Sequence, residues 1–302
     1  MSGLCPRAAV LVVICLLLTG CDTAVFAIAN APARLATVRY RADLAYGEDP
    51  RQHLDVYAPP DAKGLPVVIF WYGGAWTHGD KSNYRFVGSA LAESGFVAVL
   101  PDYRLYPAAT FPRFIEDGAR AVEWVERHAE ELGGDHTRIV LMGHSAGAHL
   151  AALLALAPTY LTAVQATEED IVGFIGLSGP YVLDPDTEVL RKIFSSPYQP
   201  SDWQPVRYAT ARAPPALLLH GLEDRRVLAI QTRQLRDALA SKGASVEMEL
   251  YEGADHADTV AGFSVFERKR IPALDRVVLF VRRVASADMR TAAAERSCAI
   301  HC

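Results

Sequence analysis

The stretch that most restricts what this chain can fold into is Gly143-His144-Ser145-Ala146-Gly147. An apolar run, Arg138-Ile139-Val140-Leu141-Met142, precedes it and reads as a buried strand. An Ala/Leu-rich run from Ala146 to Leu156 follows and reads as a helix. Strand, Gly-x-Ser-x-Gly and helix, in that order, predict a sharp turn with Ser145 at its apex. The requirement is steric. Without side chains at 143 and 147, strand and helix can come close, and the Ser145 hydroxyl is left pointing into open space. The N–H of Ala146, at the helix start, is placed to donate to an anion. The pentapeptide alone also suits an ordinary strand-to-helix loop, so its meaning depends on what else the chain supplies.

The surrounding pattern repeats strand and helix. Thr37 to Ala42 and Leu54 to Tyr57 alternate polar and apolar residues, as two antiparallel strands joined through Gly47 to Arg51 would. Leu65 to Trp71, Phe96 to Leu100, Ile171 to Leu177 and Ala216 to His220 are continuous apolar runs, the mark of strands buried on both faces. Ser245 to Tyr251 alternates. Helical periodicity covers Tyr84 to Ser94, Ile115 to Glu131, Val227 to Ala240 and Ile271 to Val284. The result is an α/β fold: a mostly parallel central sheet with helices on both faces, and antiparallel strands at its N-terminal end. Residues 178–215 are rich in Pro, Tyr and Trp and long for a structureless loop, so a partly helical cap-like insertion is expected.

With 302 residues, of which 51% are hydrophobic, one large domain with a sizeable core is expected. It is placed at 37–285, followed by a tail at 286–302. Thirty basic against 35 acidic residues, with no charge block, give no basis for a nucleic-acid partner. Arg7, the apolar run Ala8 to Leu18, and Leu18-Thr19-Gly20-Cys21 describe an export signal over 1–21. Its end resembles a bacterial lipobox, which implies lipidation of Cys21, a tether at 22–36, and attachment to a membrane of the cell envelope. A plain signal cut after Ala29 and an uncleaved anchor are the alternatives, the run being short for a full span. Cys5 and Cys15 fall in the signal. Cys298 and Cys302 remain as an even pair in an exported chain, fit for a disulfide or a frayed tail. With His301 they make a poor metal site, and no metal or cofactor is expected.

A serine hydroxyl needs a base to take its proton, and that base is usually a histidine held by a carboxylate. Where Ser follows a strand of a parallel sheet, the order along the chain is Ser, then Asp or Glu, then His. After Ser145 the histidines are His149, His220, His256 and His301. His149 lies one turn into the helix after Ser145. His220 closes a strand ahead of any later acid. His301 is on the tail. His256, in Glu252-Gly253-Ala254-Asp255-His256 after the last strand, is the candidate base. Glu223 and Asp224 follow the preceding strand. Asp224 is the candidate acid, with Val227 starting a helix beneath it, and Glu223 and Asp255 are alternatives. Tyr72-Gly73-Gly74-Ala75 follows the third strand, where Gly73 and Gly74 allow backbone N–H groups to face Ser145 alongside that of Ala146. Tyr72, Trp76 and Tyr181 are candidates for the lining of an apolar pocket. Trp71, Tyr198 and Trp203 are further ones.

From about Leu44 to Val284 the chain resembles an α/β-hydrolase fold serine esterase of the carboxylesterase and hormone-sensitive-lipase-like group. It is also similar to the formamidase and prenylcysteine-methylesterase branches. The matching stretches are Gln52 to Tyr57, Gly73 to Trp76, Asp102 to Leu105, Gly143 to Gly147 and Asp224 to Val227. The resemblance implies a Ser145-His256-Asp224 triad, with Gly73, Gly74 and Ala146 donating to an oxyanion. It implies cleavage of small or medium acyl or aryl esters. An arylformamidase-like amide hydrolase, or a non-catalytic envelope binding protein, is the alternative. Two positions depart from the family pattern: Tyr72 stands where the oxyanion motif begins with His, and Ala75 where it has a third Gly. Asp102 to Leu105 and Glu116-Asp117 also match and are expected to be structural.

Overall fold

The computed structural model describes residues 25–286. Cys21 and the rest of 1–24, Cys298, Cys302, His301 and all of the tail beyond Ser286 lie outside them. Eight strands form one sheet. They are β1 (Arg39–Ala45), β2 (His53–Ala58), β3 (Leu65–Trp71), β4 (Val97–Pro101), β5 (Gly134–His144), β6 (Ile171–Leu177), β7 (Ala216–Gly221) and β8 (Val246–Tyr251). Their order across the sheet is β1-β2-β4-β3-β5-β6-β7-β8. β2 runs antiparallel to both neighbours, and every pairing from β4 to β8 is parallel. The long helices are α1 (Arg85–Glu93), α2 (Arg113–Leu132), α3 (Ala146–Leu156), α4 (Ile230–Ser241) and α5 (Ala273–Val284). Every residue of β4 and β7 is buried, which requires cover on both faces of the sheet.

Register places the chemistry. Trp71 pairs with Gly143, His144 with Leu177, Leu177 with Leu219, and Gly221 with Tyr251. The carboxyl ends of β3, β5, β6, β7 and β8 therefore share one edge, where parallel α/β sheets hold their ligands. All of α3 except Ala155 is buried. A helix enclosed on every side must be apolar on every side, which accounts for its Ala/Leu composition. Its approach to the sheet is closer than a side chain allows. A Cβ at Gly147 would lie 2.0 Å from the Trp71 carbonyl oxygen, and one at Gly143 2.2 Å from that of Gly147.

Three local features differ from the pattern reading or refine it. The helix expected from Val227 begins at Ile230, because Asp224 Oδ1 accepts from the N–H groups of Arg226 and Val227, both at 2.9 Å, and holds a turn there. Part of the stretch expected to be a tether is fastened to the domain. Residues 25–30 are helical, and the Asn30 amide accepts from Phe86 N–H at 2.9 Å and donates to the Ser82 and Asn83 carbonyls at 3.2 and 3.0 Å. Within 178–215, Glu188–Ile193 and Pro200–Trp203 are helical turns, as a partly helical insertion requires. No helix among the described residues is long and apolar enough to cross a membrane.

Candidate active site

Ser145 sits between β5 and α3 at φ 53° and ψ −120°, a region that residues with a Cβ rarely enter. Its N–H donates to the Leu177 carbonyl at 2.9 Å, carrying the β5–β6 ladder one step further. Its carbonyl accepts from His149 N–H at 3.1 Å, the first bond of α3. With both ends of the residue held, the partly exposed side chain stands at the top of the turn.

The loop after β8 brings His256 to it. His256 Nε2 lies 2.8 Å from Ser145 Oγ, and Nδ1 lies 2.7 Å from Asp224 Oδ2. An ionised carboxylate only accepts, so Nδ1 carries the proton and Nε2 presents its lone pair to the serine hydroxyl. Asp224 is buried in the loop after β7. Burial pushes its carboxyl up, but hydrogen bonds from His220, His256 and Val227 N–H outweigh it and hold Asp224 well below the usual carboxylate range. Glu223 is exposed. Asp255 Oδ1 accepts from Ala257 N–H at 2.9 Å and Asp258 N–H at 3.3 Å, so it caps its own turn.

Gly73 faces the serine closely. A Cβ there would lie 2.9 Å from Ser145 Cβ and 3.0 Å from His144 Nδ1. Gly74 follows at φ 136°, and Ala75 and Trp76 both take the left-handed region, at φ 48° and 60°. Backbone strain of this kind persists only where the surroundings impose it. Here they do. The Arg51 guanidinium donates to the Gly79 carbonyl at 2.9 Å and the Tyr72 hydroxyl at 2.6 Å. Tyr72 in turn donates to Asp102 Oδ1 at 2.6 Å, an oxygen that also accepts Lys81 N–H at 2.9 Å. Tyr103 donates to the Tyr72 carbonyl at 2.9 Å. The N–H groups of Gly73 and Gly74 take no acceptor in this scheme, and Ala146, as the first residue of α3, has no intrahelical one.

The pocket assignment of Tyr72, Trp76 and Tyr181 is corrected by their burial. Tyr72 is 0% exposed, with its ring stacked on Tyr84 and Tyr103 at 5.6 and 5.0 Å and its hydroxyl engaged, so it supports the loop. Tyr181 is also fully buried, its hydroxyl end seated in the space that Gly176 and Gly179 leave. Trp76 meets Phe194 and His149 edge-on at 4.8 and 5.1 Å inside a filled aromatic block. Trp71 is fully buried and Trp203 nearly so. Asp102 and Asp117 are structural, as expected: buried Asp117 accepts from the Arg104 guanidinium at 2.7 Å and from the Gln52 amide at 2.7 Å. Surface hollows of about 410 Å³ beside Leu35 and Pro59 and about 520 Å³ beside Gly47 and Arg104 are lined by neither Ser145 nor His256. Among the described residues, no group of three or more His, Cys, Asp or Glu is placed to hold a metal ion.

Three further histidines serve the site, of which the sequence offers His149 and His220 only as candidate bases and His144 only as a residue of the pentapeptide. His144 Nε2 donates to the His256 carbonyl at 2.9 Å. Burial, and then the nearby His256, push its imidazole down to about 3. His149 Nε2 donates to the Trp203 carbonyl at 2.6 Å, tying the 178–215 insertion to α3, and burial pushes it down to about 4. His220 touches Asp224 itself, with Nε2 3.1 Å from Oδ2. Their positions at or beside the carboxyl ends of β5 and β7 were the available signal.

Two family models match the chain: that of the BD-FAE family over residues 54–172 and that of the prolyl oligopeptidase family over residues 115–287. A curated relative, the isoprenylcysteine alpha-carbonyl methylesterase ICME of Arabidopsis thaliana, is 34% identical over 241 residues, 72% of this chain and 56% of that protein. Esterase LipC of Mycobacterium tuberculosis is 32% identical over 269 residues, 81% of this chain and 65% of that one. The chain spans about half the length of the first of these relatives. Among solved structures, the Thermogutta terrifontis esterase with propionate bound superposes with a TM-score of 0.68 at 25% identity, covering 82% of this chain and 94% of that one.

Two expectations follow from this site. Tyr72→Phe removes the hydroxyl between Arg51 and Asp102 while keeping the stacked ring. It should lower stability by about 1–3 kcal/mol in urea melts and reduce turnover with KM little changed. The two buried imidazoles set the second expectation. The folded values of His144 and His149 lie below the ordinary 6.5, so the unfolded chain binds more protons between about 4 and 6.5. Their contribution is present above 6.5 and is lost as pH falls toward those lower values. Urea stability at pH 5 should fall below that at pH 7.5 by on the order of 2 kcal/mol for each histidine.

Proposed function

The chain belongs to the esterases of the α/β-hydrolase family, and on that premise we propose that it cleaves carboxylic esters through an acyl-enzyme formed on Ser145. One observation carries the reading: a single imidazole, His256, lies 2.8 Å from the Ser145 hydroxyl and 2.7 Å from a buried carboxylate. Ser145 Oγ attacks the ester carbonyl carbon while its proton passes to His256 Nε2. Asp224 stabilises the imidazolium that results. The carbonyl oxygen takes up negative charge among the N–H groups of Gly73, Gly74 and Ala146, donors fixed before the charge appears. Collapse breaks the carbon–oxygen bond, and the leaving alcohol takes the proton back from His256. Water repeats the relay on the acyl-serine, releasing the acid and restoring the hydroxyl.

Small acyl groups are the favoured substrates. The aromatic block of Trp76, Phe194 and Trp203 is filled by its own side chains, and the Thermogutta terrifontis relative was solved with propionate. p-Nitrophenyl acetate should be turned over, with a loss of about 10³-fold or more in Ser145→Ala and about 10³–10⁴-fold in Asp224→Asn. A fluorophosphonate should label Ser145. Turnover that survives Ser145→Ala would remove the reading, and an N-formyl aryl amine hydrolysed faster than any short-chain ester would move it to the amide.

We propose separately that the protein is held in the cell envelope by a lipid on Cys21, facing the periplasm or exterior. Arg7, the apolar run to Leu18 and the Cys after Thr19-Gly20 support it. Expressed in a bacterial host with an alkyne fatty acid, the full chain should incorporate label and fractionate with membranes. Cys21→Ala should do neither, and label retained by that variant would exclude Cys21 as the attachment site.

A further inference from the structure

Asp224 accepts more hydrogen bonds than orienting one imidazole requires. Its Oδ1 takes the N–H groups of Arg226 and Val227. Its Oδ2 takes His256 Nδ1 at 2.7 Å and His220 Nε2 at 3.1 Å. His220, in β7, is wholly buried. Its Nε2 is also 2.8 Å from the Val227 carbonyl, and its Nδ1 is 2.7 Å from the Thr232 hydroxyl on α4. The contacts fix the tautomer. A backbone carbonyl and an ionised carboxylate only accept, so Nε2 carries the proton, and Nδ1 accepts from Thr232.

We propose that His220 is a positioning residue for the Asp224–His256 pair, a second imidazole that shares the carboxylate oxygen on which His256 depends. The proposal rests on the hydrolase reading given above. His220 does two things from where it stands. It locks the Asp224 side chain through Oδ2, so that the carboxylate meets His256 in one orientation. It also occupies part of Oδ2, so that the carboxylate's charge is shared between two imidazoles and not committed to His256 alone. The other titratable groups around the pair are few. His144, buried, holds the His256 carbonyl from β5. Glu223, Arg225, Arg226 and Asp255 lie at the surface or close to it, where water screens them, and Asp258 is paired with Arg270.

The carboxylate keeps two backbone donors on Oδ1 when His220 is replaced, so it stays in the site, and what changes is the orientation and charge that Oδ2 presents to His256. In His220→Leu the acid limb of kcat/KM for p-nitrophenyl acetate should move up by roughly half a pH unit to one unit. Turnover at pH 7 should fall about two- to threefold, as that shift requires, with KM little changed. His220→Gln, whose amide can still donate to Oδ2, should restore the limb. A limb that stays put in His220→Leu, or an equal loss of activity in both variants with no shift, would reduce His220 to a packing residue. Histidine nitrogen NMR on the unmutated protein needs no variant to fold: it should find His220 protonated at Nε2, and protonation at Nδ1 would overturn the proposal. Ser145→Ala turnover decides the hydrolase reading separately from either measurement.

Discussion

The contact on which this molecule depends is between two backbones. At the exit of β5 the first turn of α3 lies against the carbonyls of Trp71 and Tyr72, at a distance that leaves no room for a Cβ at 147. That approach holds Ser145 in a conformation it would not adopt alone, and the energy of the surrounding fold maintains the strain. The same carbonyl end of β3 begins the loop that carries Gly73, so the serine and the groups that would face it are fixed by one piece of packing. The parallel sheet then delivers the remaining groups, because β7 and β8 end in register with β5 and β6.

Four histidines at this edge show how surroundings assign roles to one side chain. His256, partly exposed and joined to an ionised carboxylate, keeps a free lone pair for the serine. His144 and His149 are buried and pushed down to about 3 and 4, so each serves as a fixed neutral donor to a backbone carbonyl. His220 donates to the same carboxylate oxygen as His256. No residue type in the sequence announces these differences; they follow from solvent access and the identity of the neighbouring acceptor.

Much of the architecture was legible because hydrophobic runs report burial directly. The helix from Ala146 to Leu156 and the strand from Ile171 to Leu177 have the limits their sequences suggest. The order along the chain pointed to Ser145 and His256, while the acid stayed open among Glu223, Asp224 and Asp255 until the contacts around each were known, Asp224 being the carboxylate that meets His256. Tyr72 was not legible. A tyrosine after a strand reads alike whether it faces a pocket or the core. What decides is Arg51, in the β1–β2 connection, and Asp102, after β4, both brought to it only by strand pairing. The start of α4 was misjudged for a related reason. Asp224 spends an oxygen on the N–H groups that a helix from Val227 would have left uncapped. Tyr181 was misread because Gly176 and Gly179, which make room for it, look like ordinary turn residues in the sequence.

The bond from His149 to the Trp203 carbonyl has a mechanical meaning. It fastens the irregular insertion to the very helix whose first turn supports the serine. The insertion is therefore no independent flap. The Phe194 ring, 5.6 Å from that of His149, adds a second tie between the insertion and α3. A change in this insertion therefore reaches the support of the reactive hydroxyl as well.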